Sequence, residues 1–200
     1  MTEILLARHG ETDWNHDSRF QGRADPPLNN LGRRQAAELA ATLAGEEVEA
    51  VYSSPLRRAL ETAEVVAAAH RLSSVSVDGL REVDVGSWQG LTRSEVELRF
   101  PEQYRRWLDF GQGWEDGETY EQMGTRVVGA LEQLALQHED ERIIAVTHGG
   151  PIRAALARAA GINYSEARRA GPAIGNCFVA RFAVGGGSFQ KLEPVPPAAL

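Results

Sequence analysis

EILLARHG, residues 3–10, is a short apolar run that ends directly in an Arg-His-Gly sequence. A second run, RIIAVTHGG at residues 142–150, also ends in a His-Gly pair. Short apolar runs of this length are typical of strands buried in a sheet. Ligands of open α/β sheets bind beyond the carboxyl ends of the strands. The two runs therefore predict a sheet that carries His9 and His148 at one edge, where they can lie side by side.

Strand patterns alternate with helix patterns along the rest of the chain. Further strands are predicted at 48–54, 75–80 and 177–184, and helices at 31–45, 55–70, 119–138 and 150–161. Thr119 and Gln122 form a capping box, and Pro55 stands at a favourable position in the first turn of its helix. This alternation predicts an α/β fold with a largely parallel sheet. Residues 86–118, which are rich in Gly and Trp, predict a flap of short helices, and 184–188 predict a turn.

The composition is that of an ordinary globular protein. The 200 residues, 42% hydrophobic and 24% charged, fit one domain over 1–200 with a flexible tail at 194–200. A net charge of -7 argues against general binding to nucleic acids or anionic membranes. Cys177 is the sole cysteine, which excludes an intrachain disulfide and a cysteine-based zinc cluster. No run approaches about 18 apolar residues, so no membrane span is expected and a cytoplasmic protein is the simplest interpretation.

The residues around the two His-Gly pairs suit chemistry on phosphorus. A histidine nucleophile needs a neutral ring, cationic donors for the phosphoryl oxygens and an acid for the leaving oxygen. Arg8 and His9 are consecutive in a turn, and Arg57 and Arg58 begin a helix whose exposed N–H groups add to their charge. A protonated His148 with two arginines would balance a phosphate dianion. Taken alone, a histidine after a strand is more often structural than catalytic, and the arginine pair fits a solvated helix face as well.

Metal and nucleotide sites find little support in the sequence. The five histidines show neither HExxH nor HxH spacing, which disfavours a zinc hydrolase. The chain has no GxxxxGK[ST] sequence, so a P-loop is not supported. His70 and His138 are expected near helix ends, and His16 on the surface.

The ordered set of motifs resembles the histidine phosphatase superfamily, also described as phosphoglycerate-mutase-like or RHG-motif enzymes. The resemblance is carried by RHGETDWN (8–15), QGRADPPLNNLGRRQA (21–36), SSPLRRALETA (53–63), LREVDVGSWQGLT (80–92), GETYEQMGTRV (117–127) and VTHGGPIRA (146–154). It covers most of residues 4–155. It implies a three-layer α/β/α sandwich with a mostly parallel central sheet and a small flap insert around 86–118.

The resemblance also implies a role for each site residue. His9 would accept the phosphoryl group as a phosphohistidine, and Glu82 would act as acid and then as base. The phosphoryl oxygens would be held by Arg8, Arg58 and His148, with Asn15, Gln21, Gly22 and Gly149 completing the binding set. The family's pattern selects Arg58 over Arg57, and it leaves Glu11 and Asp84 as competing carboxylates, with Glu11 assigned to orienting the loop. Neither a metal nor another cofactor is implied.

Three functions fit this resemblance. The first is metal-independent hydrolysis of a small phosphorylated metabolite, the second is a phosphoglycerate mutase, and the third is a non-catalytic phosphate-binding protein. The family's mutases carry a longer insert and an ERHYGGL type of sequence where this chain has REVDVGSWQGL, so hydrolysis is favoured. The intact set of catalytic residue types argues against the third function.

The substrate and the oligomeric state stay open at the level of sequence. The aromatic residues of 86–118 fit either a cover over the leaving group or simple core packing; they are Trp88, Tyr104, Trp107 and Trp114. Arg23, Arg105 and Arg106 fit either a second anionic group of the substrate or a solvated helix. A homodimer through an edge strand is one option, with no residue pattern that favours it. The expected partner is a small phosphorylated metabolite, and neither nucleic acid nor membrane.

Overall fold

In the part of the chain that the structure describes, one mixed sheet of six strands forms the centre of the fold. The computed structural model describes residues 1–110 and 113–194. The strands are β1 (Thr2–Arg8), β2 (Ala50–Ser53), β3 (Ser74–Ser76), β4 (Arg142–Thr147), β5 (Val179–Gly185) and β6 (Ser188–Lys191). Their order in the sheet is β3-β2-β4-β1-β5-β6. The first four in this order are parallel, whereas β5 and β6 form antiparallel pairs. The mostly parallel sheet is confirmed.

Within the described residues, eight α-helices connect and cover the strands. They are α1 (Asp13–His16), α2 (Asn30–Leu43), α3 (Arg57–Ala69), α4 (Arg93–Arg99), α5 (Pro101–Phe110), α6 (Tyr120–Gln137), α7 (Gly149–Ala160) and α8 (Tyr164–Ala170). Thr119 caps α6 through the expected capping box with Gln122, and Gly161 ends α7 in the left-handed region. No helix within these described ranges is both long and apolar enough to cross a membrane.

The two faces of the sheet carry separate apolar clusters, which makes the fold three layers deep. In β1, Leu5 and Ala7 point to one face while Ile4 and Leu6 point to the other, because side chains alternate along a strand. The first face packs on α2 and α3 through Leu39, Leu43, Ala63 and Val66. The second face packs on α6 and α7 through Met123, Val127, Leu131 and Ile152. The predicted three-layer α/β/α sandwich is confirmed.

Two local predictions are wrong. The strand predicted at 75–80 ends at Ser76, and Asp78–Leu80 form a 3₁₀ turn, because the Asp-Gly pair favours a turn over extension. Helix α3 begins at Arg57 after the N-cap Leu56, so Pro55 lies before the first turn. The turn predicted at 184–188 is confirmed, since residues 186 and 187 form the turn between β5 and β6. Strand β6 itself was not predicted from the sequence.

The flap segment (86–118) consists of short helices, as expected, but its aromatic side chains form a core. The segment contains the 3₁₀ turn Gly86–Trp88 followed by α4 and α5, and its residues 111 and 112 lie outside the described ranges. Trp88 is fully buried, with the Trp114 ring 5.4 Å and the Phe20 ring 5.1 Å away in T-shaped contacts. Trp88 therefore packs inside the flap and is not a cover over the substrate.

Candidate active site

The two His-Gly pairs meet at one edge of the sheet. β1 and β4 are neighbouring parallel strands with Arg8 opposite Thr147, so the residue after each strand comes to the same place. The His9 and His148 rings lie 5.1 Å apart, and both side chains are buried. Parallel pairing thus brings together two histidines that are far apart in the sequence.

The hydrogen bonds of His9 define which nitrogen carries its proton. Nδ1 lies 2.6 Å from the Gly10 carbonyl oxygen, which can only accept, so Nδ1 donates. Nε2 accepts from the Arg58 Nε–H at 3.3 Å. Burial, and then the positive charges of Arg58 and Arg8, hold the pKa of His9 well below its ordinary value. The ring is therefore neutral with its lone pair on Nε2, the form that can attack phosphorus.

Arg58 holds the site together from the start of α3. Its terminal nitrogens donate to the carbonyl oxygens of Ala24 at 2.7 Å and Gly22 at 2.9 Å. A guanidinium has five N–H donors, so two of them remain for an anion after the bond to His9. Burial lowers the pKa of Arg58 to about 10. Arg57 instead is exposed and pairs with Glu61, so the structure places only the second of the two arginines at the site.

Arg8 brings a second guanidinium to the same edge. It is the last residue of β1, and it donates to the Ile174 carbonyl oxygen at 2.5 Å. Its Nε is buried and has no hydrogen-bond partner in the part of the chain that the structure describes. A buried donor without an acceptor costs free energy, so Arg8 has a donor to offer an anion in the cleft.

His148 faces His9 from the start of α7. Its Nε2 lies 2.8 Å from the Ser54 Oγ, and its buried Nδ1 has no partner among the described residues. Burial, and then the positive charge of Arg58, hold the pKa of His148 well below its ordinary value. The lowered pKa favours a neutral His148 over the protonated ring that the sequence analysis considered. A neutral ring that accepts the Ser54 O–H at Nε2 keeps its Nδ1–H as a donor.

Glu82 lines the cleft and belongs to the segment that follows the 3₁₀ turn Asp78–Leu80. Its Oε1 accepts from the Val83 N–H at 2.9 Å, and its Oε2 accepts from the Gly150 N–H at 3.3 Å. A Cβ at position 150 would lie 2.3 Å from Oε1, so only glycine allows this approach. Gly150 is a site residue that the sequence analysis missed. Gly149, the glycine it named, begins α7 and does not line the cleft.

Two side chains fix the segment that carries Glu82. The Thr147 hydroxyl donates to the Leu80 carbonyl oxygen at 2.6 Å. Arg126 on α6 donates to the carbonyl oxygens of Gly79 at 2.9 Å and Arg81 at 3.0 Å, and it pairs with Glu118 at 2.6 Å. Arg126 was not recognised from the sequence, because its partners are backbone carbonyls on a distant segment.

Of the remaining predicted residues, some line the cleft and others lie outside it. Asn15 accepts at Oδ1 from the Thr12 N–H and the Asn176 amide, and its own amide donates to no partner among the described residues. Gln21 and Gly22 also line the cleft. The competing carboxylates do not line it. Glu11 accepts from the Asn29 amide at 3.0 Å, and Asp84 accepts from the Gly86 N–H at 3.0 Å.

The cleft is small and lined mainly by polar side chains. Its volume is about 300 Å³. The sequence analysis missed several residues of its wall, namely Arg19, Phe20, Arg93, Tyr120 and Tyr164. These residues come from separate segments, and no motif of the sequence joins them. Within residues 1–110 and 113–194, no cluster of three or more His, Cys, Asp or Glu side chains is placed to hold a metal ion.

Comparison with known proteins points to one family. The family model described as histidine phosphatase superfamily (branch 1) matches residues 4–194. Phosphoserine phosphatase 1 of Hydrogenobacter thermophilus is 35% identical over 168 residues, which are 83% of this chain and 80% of that protein. A metal-independent phosphoserine phosphatase of Arabidopsis thaliana is 43% identical over 163 residues, which are 79% of this chain and 68% of that protein.

A solved structure shares the whole fold. A phosphoserine phosphatase mutant from Entamoeba histolytica in complex with phosphoserine superposes with a TM-score of 0.84 and 28% identity. The match covers 98% of this chain and 97% of that one. The shared fold therefore extends over nearly the whole chain.

Proposed function

This chain belongs to the histidine phosphatase superfamily (branch 1), and on that premise we propose that it hydrolyses phosphomonoesters through a phosphohistidine formed on His9. Its activity class is that of its relatives, a phosphoric monoester hydrolase acting on small phosphorylated metabolites. The observation that carries the mechanism is the neutral His9, whose Nδ1–H is fixed on Gly10 and whose Nε2 lone pair faces Arg58.

In the first step, Nε2 of His9 attacks the phosphorus atom while the ester P–O bond breaks. Donors from Arg8, Arg58 and His148 hold the nonbridging oxygens, with the Asn15 amide as an additional donor. Glu82, protonated at this stage, gives its proton to the departing oxygen, so that an alcohol leaves instead of an alkoxide. The Gly10 carbonyl keeps its hydrogen bond to Nδ1 and stabilises the positive charge on the phosphorylated ring.

In the second step, the Glu82 carboxylate takes a proton from a water molecule. The water oxygen attacks phosphorus, the P–N bond breaks, and the electron pair returns to Nε2 of His9. Inorganic phosphate then leaves, and Glu82 is again protonated. No metal ion takes part in either step, in line with the relative named as metal-independent.

The test uses p-nitrophenyl phosphate in EDTA, with His9→Ala as the control. We expect the wild-type chain to release phosphate and His9→Ala to release none. Brief incubation with radiolabelled substrate, followed by quenching in base, should leave an acid-labile label on the wild-type protein only. If nothing is released and 3-phosphoglycerate is isomerised instead, the chain is a mutase and the hydrolase proposal is wrong.

We also propose a cytoplasmic location. The net charge of -7 and the single cysteine support it, since neither a basic surface nor a disulfide framework marks the chain for another compartment. Cell fractionation tests this proposal, and recovery of the protein outside the cytoplasm would contradict it.

A further inference from the structure

A third strand brings a polar side chain to the sheet edge where His9 and His148 meet. Ser54 follows β2, the parallel neighbour of β4 on the side away from β1. Its N–H donates to the Val146 carbonyl oxygen of β4 at 2.9 Å. The residues after β2, β4 and β1 therefore form a row, in which His148 lies between Ser54 and His9.

The hydrogen bonds of the Ser54 hydroxyl determine the direction of its proton. Ser54 is fully buried, and its Oγ accepts from the Leu56 N–H at 3.3 Å and lies 2.8 Å from Nε2 of His148. Within the described ranges of the chain, Nε2 is the only acceptor that this hydroxyl meets. A buried O–H without an acceptor costs free energy, so the hydroxyl donates to Nε2. Nε2 therefore carries the lone pair of the ring.

The lone pair on Nε2 places the proton of His148 on Nδ1. His148 is neutral because burial and the charge of Arg58 lower its pKa, and a neutral imidazole carries one N–H. Nδ1 is buried and has no partner among the described residues. The ring lies 5.1 Å from that of His9, where the phosphoryl group would form. The Nδ1–H is thus a donor for a phosphoryl oxygen, whereas the other tautomer would present a lone pair to it.

We propose that Ser54 is a positioning residue for phosphoryl transfer: its hydroxyl fixes His148 as the Nδ1–H tautomer, which donates to the phosphoryl group. This proposal rests on the proposed function, since it places the phosphoryl group on His9. Ser54 does not line the cleft, so it acts through the ring of His148. The donor is set before the substrate binds, and no proton has to move between the ring nitrogens during the reaction.

The preceding residue offers a matched control. Ser53 is also fully buried, but its hydroxyl donates to a backbone group, the Ser54 carbonyl oxygen, at 2.7 Å. Ser53→Ala therefore removes a hydroxyl of the same size and burial from the same strand end. It leaves the hydrogen bond between Ser54 and His148 in place.

The first test determines the tautomer directly. Long-range ¹H–¹⁵N NMR spectra show which ring nitrogen of a neutral histidine is protonated, and comparison with His148→Gln assigns the His148 signals. At about pH 7.5, above the pKa of an ordinary histidine, we expect a protonated Nδ1 in the wild type and in Ser53→Ala. In Ser54→Ala the proton should shift towards Nε2. A wild type with its proton on Nε2 would overturn the proposal, and this result needs no variant of Ser54.

The second test measures the hydrolysis of p-nitrophenyl phosphate. In Ser54→Ala, we expect kcat to fall by about 10- to 100-fold with little change in KM, because the donor acts most strongly in the transition state. This loss is smaller than the cost of about 10²- to 10³-fold for a deleted donor, because part of the molecules keep the Nδ1–H form. Ser54→Cys, whose thiol is a weak donor, should recover part of the activity. Ser53→Ala should lose less than about threefold.

A double-mutant cycle separates positioning from a general effect on the structure. A His148→Ala background has no ring to orient, so adding Ser54→Ala there should change kcat by less than about threefold. The proposal is wrong if Ser54→Ala keeps the wild-type kcat, if it loses no more than Ser53→Ala, or if its loss is the same in the His148→Ala background. If the wild type releases no nitrophenol, the proposed function fails, whereas the NMR spectra still decide whether Ser54 fixes the tautomer.

Discussion

His9 and Arg58 are in direct contact, and each determines what the other can do. The Arg58 Nε–H donates to the lone pair that must attack phosphorus, at a distance of 3.3 Å that marks a weak hydrogen bond. A phosphoryl oxygen is a stronger acceptor, because it is charged. An incoming phosphate ester would therefore draw the guanidinium away from His9 and free the Nε2 lone pair as it binds. The hydrogen bond from Arg58 thus helps to keep Nε2 of His9 unprotonated before the substrate binds, and it does not prevent the attack of Nε2 on phosphorus.

The role of Glu82 as both acid and base predicts different behaviour with different leaving groups. In Glu82→Gln, we expect p-nitrophenyl phosphate to give a burst of nitrophenol equal to the enzyme concentration, because nitrophenolate leaves without a proton. The phosphohistidine should then hydrolyse about 10²- to 10⁴-fold more slowly than in the wild type. An alkyl ester such as glycerol 3-phosphate should give no burst. Rapid-quench kinetics distinguish these outcomes.

Asp84→Asn is the matched control for this experiment. Asp84 is the neighbouring carboxylate, but it accepts from the Gly86 N–H and does not line the cleft. We expect its variant to turn over both esters in the steady state. A burst in Asp84→Asn and none in Glu82→Gln would move the acid–base role to Asp84.

Gly150 sets the position of the Glu82 carboxylate. In Gly150→Ala, the new methyl group would lie 2.3 Å from Oε1 of Glu82 and 3.0 Å from the Met123 sulfur, so the carboxylate must move away. A displacement of about 1 Å costs on the order of 10²-fold in rate, and we expect kcat to fall by that factor. Gly149→Ala is the control, because its methyl group would meet only the Arg8 Nε at 3.9 Å. Equal activity in the two variants would show that catalysis by Glu82 does not depend on its close contact with Gly150.

At the scale of elements, the loop after β1 is held by the start of α2. Gly10 and Gly32 pack backbone against backbone, and the Gly10 N–H donates to the Thr62 hydroxyl on α3. The Glu11 N–H donates to the Gln35 side chain on α2. Two helices of one layer therefore position the loop that carries His9, while α6, in the other layer, positions Glu82 through Arg126. The active site lies where both layers reach the same sheet edge.

The contact between this loop and α2 predicts a difference between two glycine substitutions. In Gly32→Ala, the methyl group would lie 2.0 Å from the Glu11 carbonyl oxygen, and the overpacking should destabilise the protein by about 1–3 kcal/mol. Gly129→Ala in the middle of α6 has nothing within 4 Å, so the higher helix propensity of alanine should stabilise the protein by about 0.5–1 kcal/mol. Thermal unfolding of both variants measures the two effects. A Gly32→Ala variant as stable as the wild type would mean that the loop moves away freely.

At the scale of the whole molecule, periodic patterns allowed prediction of the layers and the sheet edge. The apolar runs that became β1 and β4 placed His9 and His148, because parallel strands end at the same side. The close contact of Gly150 with Glu82 and the contacts of Arg126 depend on how distant segments pack, and no local pattern encodes such packing. Strand β6 is short and mostly polar, so its pairing with β5 left no periodic signal. The single domain over 1–200 stays a prediction.

The two buried histidines predict how the stability of the whole molecule depends on pH. The folded protein holds the pKa values of His9 and His148 well below the value of about 6.5 for an unfolded histidine. Above that pH, both states are neutral and the full stability is present. As the pH falls below it, only the unfolded chain takes up the protons. The free energy of unfolding should then decrease by up to about 1.4 kcal/mol per pH unit for each histidine.

Urea unfolding between about pH 5 and 7.5 measures this loss of stability. This pH range lies above the one in which ordinary carboxylates titrate. His148→Gln should flatten the decrease below about pH 6.5 by up to about 1.4 kcal/mol per pH unit, and His9→Asn should do the same. His16→Gln removes an exposed histidine of α1 and is the control. An unchanged slope in both His9→Asn and His148→Gln would mean that the folded protein admits these protons. The neutral nucleophile on which the proposed mechanism depends would then lose its support.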